Sequence, residues 1–483
     1  MKFNYYKILL NIRKEMIFWG IGKIADSAVL YFISFFLLYY YNQILNLKSF
    51  LATIALAIAL LFDALSDPIV GLVSDFKNIN GEPRSRLMIL SIIPCSVALI
   101  SLFIFEIGNS QVALFIQLTL LVIVLRIALT LFSIPREALG AQLFKGYSAR
   151  NSLWALNSFF SVVGGSLALG PTMLFFLTDW NDKSAYASAV IWTAIIYVLF
   201  SSICSFKIKK YEKLEVINKK NYLNFSIKRL YYEFCCLLKN RSWLMLFISC
   251  LIFSMHQGLN SSIGLYINNF IWHWRPSDLF WGGFLSLPGS IFGAFLIFSK
   301  EIKNKKTCAL FIGLLSLFTT PLLLNLRIIE IYFHVDILPE IGQGVNSMLW
   351  WLWGLQQFTQ NFTWTMFWIL IASMFSDTIE QHALLRGLRL DGMVLSANNI
   401  INKSLLSGGL LLSGVLLSYV GFDDALPASG KEIAAFKLSV FSSITIFCLL
   451  PFALYFLSKY RITKDIHEKN ITLLEGNIIK NKF

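Results

Sequence analysis

The chain is poor in charge, and poorest in acid. Only 14% of its 483 residues are Asp, Glu, Lys or Arg, against about a quarter in an ordinary soluble domain, and 27 acids face 41 bases. Histidine is scarce, and His256, His273, His334, His382 and His467 show no metal-ligand spacing. Seven cysteines form neither a disulfide nor a zinc pattern: Cys95, Cys204, Cys250, Cys308 and Cys448 lie in or beside apolar runs, while Cys235 and Cys236 sit in a polar stretch. That stretch, 207–242, is too short to be a catalytic domain. These shortages exclude a soluble enzyme, a metalloprotein and a disulfide scaffold. What fills the chain is hydrocarbon, 57% hydrophobic residues.

About 20 apolar residues in a helix cross the ~30 Å hydrocarbon layer of a membrane. Twelve stretches qualify: about 17–41, 50–74, 87–107, 112–135, 153–178, 186–206, 243–271, 279–299, 307–325, 348–375, 393–420 and 436–458. The expected fold class is therefore an all-α membrane protein of twelve transmembrane helices in two six-helix bundles. Its parts are an N-terminal bundle (1–206), a cytoplasmic linker (207–242), a C-terminal bundle (243–458) and a cytoplasmic tail (459–483). Within the linker, SIKRLYYEFCCLL can form an amphipathic helix on the membrane surface. PREALGAQLFKGYSARN after span four and SDTIEQHALLRGLRLDG after span ten match in length and charge, a weak internal repeat.

Lys and Arg set the orientation, because positive loops stay in the cytoplasm. With both termini cytoplasmic, the inside segments hold 32 of these residues and the outside segments five: Lys48, Lys183, Arg275, Arg327 and Lys431. The net charge of +14 is then a property of helix ends facing anionic lipid headgroups, not a nucleic-acid surface. The start KFNYYKILLNIRKE has no small-residue cleavage pattern after it, so the first span is read as an uncleaved helix. Short loops and a composition rich in Ile, Lys, Asn and Phe point to a bacterial inner membrane.

An ionisable residue inside a span costs several kcal/mol unless paired or hydrated, so each one is a candidate for function or for a structural ion pair. Span two carries FDALSDPIVGLVSDF, with Asp63 near mid-depth and Asp67 four residues on. Four residues turn a helix by about 400°, so both carboxylates share one face about 6 Å apart along the axis. Two such acids repel each other unless a cation sits with them, which is what a Na⁺ or H⁺ carrier requires. Arg126 in span four and Lys403 in span eleven offer fixed partners, so a structural ion network is the competing reading. Span one has Lys23 and Asp26 one turn apart, able to neutralise each other. Span seven is unusually polar, with His256, Gln257, Asn260, Asn268 and Asn269, and is read as cavity-lining. Glu106 at the outer end of span three is read as solvated, Trp364 and Trp368 as lipid or core contacts rather than a ligand platform, and the sequon at Asn361 is discounted.

FDALSDPIVGLVSDF followed by GEPRSRLMIL, IPREALGAQL followed by ARNSL, and SDTIEQHALLRGLRLDGMVLSANNIINK together resemble the glycoside-pentoside-hexuronide:cation symporters, the melibiose-permease branch of the major facilitator superfamily. The resemblance covers most of the chain. It implies the major facilitator fold, with Asp63 and Asp67 as cation-site acids and Lys403 as the helix-eleven lysine of coupling and substrate binding. It also marks departures. The acid that completes the cation site in span four is replaced by Ser133, whose hydroxyl can still ligate Na⁺, while the loss of charge leaves proton coupling at least as open. The sugar-binding acid of span one aligns with Ser27, beside Asp26; the span-four tryptophan with Glu137; the span-five arginine with Ser158. Arg126 has no counterpart, and with Lys403 it opens the alternative of an anionic or zwitterionic solute.

The expected function is cation-coupled symport, by Na⁺ or H⁺, of a small organic solute such as a glycoside. The cation falls to Asp63, Asp67 and Ser133, solute and coupling to Lys403, Asp26, Arg126, Lys23 and His256, and the cytoplasmic gate to Asp75, Arg84, Arg86, Arg136 and Glu137. No cofactor, enzyme activity, nucleic acid or oligomer is called for; the partners are a small-molecule substrate and membrane lipids, and the chain is read as a monomer. The alternatives are a lysophospholipid-type carrier of the same fold and, from another class, a non-transporting membrane sensor.

Overall fold

An apolar segment in hydrocarbon must satisfy every backbone N–H and C=O within itself, and a helix does so. A computed structural model of the chain, describing residues 14–79, 82–108, 110–143, 147–212, 239–299, 304–341, 344–386, 408–422, 427–462 and 466, is accordingly helical, with no strand among those residues. The helices are α1 (Lys14–Tyr39, continued by a π-helical turn Tyr40–Ile44), α2 (Ser49–Ile79), α3 (Ser85–Ile104), α4 (Gln111–Leu143), α5 (Tyr147–Pro171, continued by Thr172–Phe176) and α6 (Lys183–Ile208). Then come α7 (Arg241–Phe270), α8 (Pro276–Ser299), α9 (Lys305–Thr319), α10 (Leu322–Phe333), α11 (Met348–Arg386), α12 (Gly408–Tyr419) and α13 (Ala428–Ser458). α9 and α10 together fill one expected span, broken at Pro321.

The helices form two compact units, the first built on Met1–Asn221 and the second on Tyr222–Trp274, Asp278–Leu416 and Leu426–Phe483. In the first unit α1 packs on α5 and α6, α3 on α4 and α6, and α2 on α4. In the second, α7 packs on α13, and α9 on α11 and α13. Spans one and six, three and four, and three and six thus have the same pairings as spans seven and twelve, nine and ten, and nine and twelve. The weak loop repeat in the sequence corresponds to a repeat in packing.

The outer faces are apolar: Ile93 and Ile291 are 73% and 70% exposed. Rows of such side chains suit lipid and would be costly in water. Inside the second unit Phe253, Phe367, Met374 and Leu454 belong to one buried cluster. Three of the helices, α6, α7 and α9, start on polar side-chain caps, Asp182, Asn240 and Asn304. Asp182 opens α6, accepting from the N–H groups of Ser184 (2.9 Å) and Ala185 (3.4 Å) and from the Ser184 hydroxyl (2.7 Å). These bonds, the Ser184 hydroxyl first, hold its carboxyl below the usual range. Close approach is needed at Gly22 on α1, where a Cβ would fall 2.6 Å from Cys204 Sγ and 2.7 Å from Arg136 Cδ. Only hydrogen leaves room there for the arginine side chain.

Candidate functional site

Two charged networks occupy the first unit. The first joins α2 to α4. Asp63 is the fifteenth of 31 residues in α2 and Arg126 the sixteenth of 33 in α4, so both sit at mid-helix. Asp63 is only 4% exposed. Arg126 Nη1 donates to Asp63 Oδ2 at 3.4 Å. One turn along α4, the Thr130 hydroxyl lies 3.0 Å from Asp63 Oδ1 and 3.2 Å from Asp67 Oδ1, touching both acids. The four-residue spacing that puts Asp63 and Asp67 on one face of α2 also puts Arg126 and Thr130 on one face of α4, and the two stripes meet.

Thr130 is a hydroxyl that the sequence reading did not name. Ser133, aligned with the third cation-site position, lies seven residues from Arg126 and so on the same face of α4, but makes no hydrogen bond to either acid among the described residues. Arg126, considered both as a fixed partner and as a binder of anionic solute, is paired with Asp63.

The second network ties α1, α4 and α5. Asp26, buried in α1, receives Arg136 Nη2 at 3.4 Å, with Lys23 Nζ at 3.8 Å. Arg136 is 0% exposed. Its Nη1 donates to Asn157 Oδ1 at 3.2 Å, its guanidinium carbon lies 4.6 Å over the Trp19 ring, and Trp19 Nε1 donates to its carbonyl at 2.6 Å. The expectation of a gate loop at Arg136 and Glu137 is therefore corrected: α4 runs unbroken through Pro135 to Leu143. Arg136 is locked inside the bundle, and Glu137, half exposed, lies 3.8 Å from it. A proline is tolerated there because neighbouring groups in a bundle satisfy the freed backbone.

The remaining gate candidates lie elsewhere. Glu212, past the end of α6, accepts from the N–H of Arg84, and from the N–H and hydroxyl of Ser85 at 3.3 and 2.8 Å. Its carboxylate thus caps α3, where the helix dipole favours negative charge. Arg86 pairs with Glu82 at 3.6 Å on an exposed face. Asp75 lies on α2, but its side chain is outside the described set, as are Arg386 and the whole of Lys403. Glu106 is not merely solvated, since it pairs with Lys183.

The second unit is built differently. A cavity of about 290 Å³ opens among α7, α9, α11 and α13, lined by His256, Gln257, Asn260, Gln360, Asn361 and Trp364 among others. His256 is 7% exposed, with Nε2 2.8 Å from Asn260 Nδ2, and Ser442 donates to Asn260 Oδ1 at 3.1 Å. The reading of span seven as cavity-lining pointed here. Trp364, expected at lipid or core, packs against the buried cluster of this unit as expected and also lines the cavity, and Asn361, discounted as a sequon, is part of the same wall. Also missed was a buried pair in this unit, Lys305 Nζ with both oxygens of Asp377 at 2.8 Å.

A family model described as MFS/sugar transport protein matches residues 18–464. The Escherichia coli (strain K12) protein "Putative glycoside/cation symporter YagG" is 21% identical over 485 residues, covering 97% of this chain and 95% of that protein. The Synechocystis protein "Uncharacterized symporter sll1374" is 28% identical over 156 residues, 31% of this chain and 29% of that protein. Among solved structures, nucleoside transporter NupG aligns with a TM-score of 0.56 at 12% identity, covering 92% of this chain and 99% of its own. A D-xylose-proton symporter aligns with a TM-score of 0.56 at 12% identity, covering 94% and 98%. At that identity the solved structures show the fold, which is the major facilitator fold of transporters.

Proposed function

The chain belongs to the MFS/sugar transport protein family, and from that premise we propose that it is a proton-coupled symporter of a small organic solute, a glycoside or related sugar. The carrying observation is Thr130. A hydroxyl has one proton to donate, yet Thr130 stands within hydrogen-bond distance of both Asp63 and Asp67. It donates to one carboxylate; the second contact becomes a hydrogen bond when that other carboxyl carries a proton and donates to the threonine oxygen. The pair of acids bridged by Thr130 is thus the place where a coupling proton is loaded and released. A sodium ion in the same place would have to share Asp63 with a fixed guanidinium and suffer its repulsion.

Alternating access then runs on charge. A proton on the acid pair removes one negative charge from inside the membrane, where charge is expensive. The protonated form is the one suited to move. Both termini face the cytoplasm of a bacterial inner membrane, as the asymmetry of Lys and Arg supports. The chain works as a monomer, with the coupling ion as its sole cofactor. Lys403, Asp26, Lys23 and His256 serve solute binding and coupling, and Asp75, Arg84 and Arg86 the cytoplasmic gate, whose ordering Glu212 assists.

The test is solute-triggered ion movement in reconstituted vesicles carrying paired pH and Na⁺ indicators, with neutral glycosides, hexuronates and lysophospholipids as solutes. A neutral glycoside should draw protons inward with no change in Na⁺ uptake. Sodium entry without proton entry would overturn the ion assignment. A response confined to lysophospholipids would overturn the solute class.

A further inference from the structure

The last helix ends in a knot of bases. α13 closes at Ser458, and Lys459, Tyr460, Arg461 and Ile462 follow. Two of these four turn inward. Tyr460 is 1% exposed and donates its hydroxyl to the Met374 carbonyl at 3.2 Å and to Asp377 Oδ2 at 3.4 Å, and Ile462 belongs to the same buried cluster. Lys459 and Arg461, on either side of Tyr460, are exposed. Both cations therefore stand on a segment that its neighbours pin to the bundle.

A cation at a helix C-terminus has an ordinary reason to be there, the partial negative charge of the last carbonyls. Lys306 of α9 already meets that need, since its Nζ donates to the carbonyls of Ser458 at 3.4 Å and Tyr460 at 3.1 Å. Lys459 and Arg461 are then in excess. At other helix ends bases meet acids, Arg86 with Glu82 and Lys305 with Asp377. Among the described residues no carboxylate lies within ion-pair distance of Lys306, Lys459 or Arg461. Three positive charges around one helix end repel each other unless an anion joins them.

The outer surface of α13 says what kind of anion. Ile444, Cys448, Phe452 and Tyr455 are exposed at spacings of four, four and three, one stripe that leads to Lys459 four residues further on. From Ile444 to Tyr455 the stripe rises about 16 Å, half of the ~30 Å hydrocarbon layer and so the depth of one leaflet. At its end the Lys459 ammonium lies 4.9 Å over the Tyr455 ring, which holds the cation in place. A phospholipid has the same layout, apolar for the depth of a leaflet and then charged.

We propose that the end of α13 binds an anionic phospholipid, its phosphate between Lys459 and Arg461 with Lys306 beside it, and its acyl chains along the stripe from Ile444 to Tyr455. A soluble anion would use the charges and leave the stripe idle. The asymmetry of Lys and Arg puts this end at the cytoplasmic leaflet, where anionic lipids lie. The site needs neither the acids of the first unit nor any solute, so it stands whatever the coupling ion is.

The experiment is native mass spectrometry of the purified full-length protein, released from detergent in the presence of phosphatidylglycerol, phosphatidylethanolamine or phosphatidylcholine with identical acyl chains. Phosphatidylglycerol should be retained at least about tenfold more tightly than the two zwitterionic lipids. The double variant Lys459→Gln, Arg461→Gln should lose that preference, and the charge-keeping double variant Lys459→Arg, Arg461→Lys should retain it. Lys209→Gln, Lys210→Gln, which removes two exposed bases just after α6, should leave it unchanged. Glycerol 1-phosphate, a headgroup without tails, should not displace the lipid at equal concentration. Equal retention of the three lipids overturns the proposal, as does a preference that survives the loss of Lys459 and Arg461. It falls as well if the Lys209 and Lys210 variant loses as much, which would mean diffuse charge and no site, or if glycerol 1-phosphate displaces the lipid, which would mean a soluble anion. Should the double glutamine variant fail to fold, Lys459→Gln and Arg461→Gln singly decide the matter, each expected to lower the preference severalfold. None of these outcomes bears on the coupling ion or the solute.

Discussion

The two six-helix units share a pattern of helix pairing but bury opposite chemistry. Midway along its spans the first holds ions: Asp63 with Arg126, and Asp26 with Arg136. At the matching depth of α7 and α11 the second holds neutral amides and an imidazole around a cavity; its described ion pairs lie elsewhere, Lys305 with Asp377 joining the first turn of α9 to the last turns of α11, and Arg327 with Glu330 one turn apart on α10. Pairing of helices is set by the shape of apolar surfaces, so a duplicated bundle keeps it while the buried polar residues diverge. The difference is one of position. Midway along the described helices one bundle holds charged pairs and the other hydrogen-bonding groups that carry no charge.

That division can be broken by changing each half in turn. The largest effect is expected from Asp67→Asn, which should abolish gradient-driven accumulation in vesicles while leaving membrane insertion intact; Asp63→Asn should do the same. Full accumulation by both variants would end the case for an ion half. Next comes Arg136→Met, which leaves Asp26 buried beside Lys23 alone; breaking a buried pair by removing one partner costs about 3–5 kcal/mol, read as a fall in the unfolding midpoint. An unchanged midpoint would mean that the arginine is a gate after all. In the other half, Gln360→Leu, in the wall of the cavity, should leave the number of ions moved per solute unchanged. A changed ion ratio would show that the halves do not separate as described. Thr130→Val should slow coupled uptake by about tenfold or less, whereas Thr130→Ser should keep it and Ser133→Ala should have no effect. The smallest effect is expected from Glu212→Gln, which weakens the cap on α3 by about 1 kcal/mol and should appear only as a small drop in thermal stability.

Much of this was legible before any helix was placed. Apolar runs longer than about 20 residues can do little else in a membrane, so ten of the twelve expected spans appear, among the described residues, as helical stretches long and apolar enough to cross one, and periodicity alone put Asp63 and Asp67 on one face. Reading Arg126 and Thr130 by the same four-residue rule would have found the stripe that meets them. Arg136 misled because it follows Ile-Pro, and a proline in sequence suggests a break. In a bundle the helix continues, and the residue after the proline points inward to an acid 110 positions earlier. Glu212 left no signal, because a cap formed across more than a hundred residues depends on where two chain ends meet. His256 and Asn260 could be paired by spacing, but nothing in α11 announced that Gln360 and Asn361 would face them.

The ion pair at Asp26 also bears on how the protein is made. A membrane chain enters the bilayer from its N-terminal end, so α1 arrives with Asp26 aboard long before Arg136 has been synthesised. Lys23, 3.8 Å away on the same helix, is the only one of the two basic partners that is present at that moment. It remains 3.8 Å from the carboxylate after α4 has joined. Beside any part in coupling, Lys23 should therefore matter while the chain is being made: a chain lacking it should be delivered to the membrane in smaller amounts.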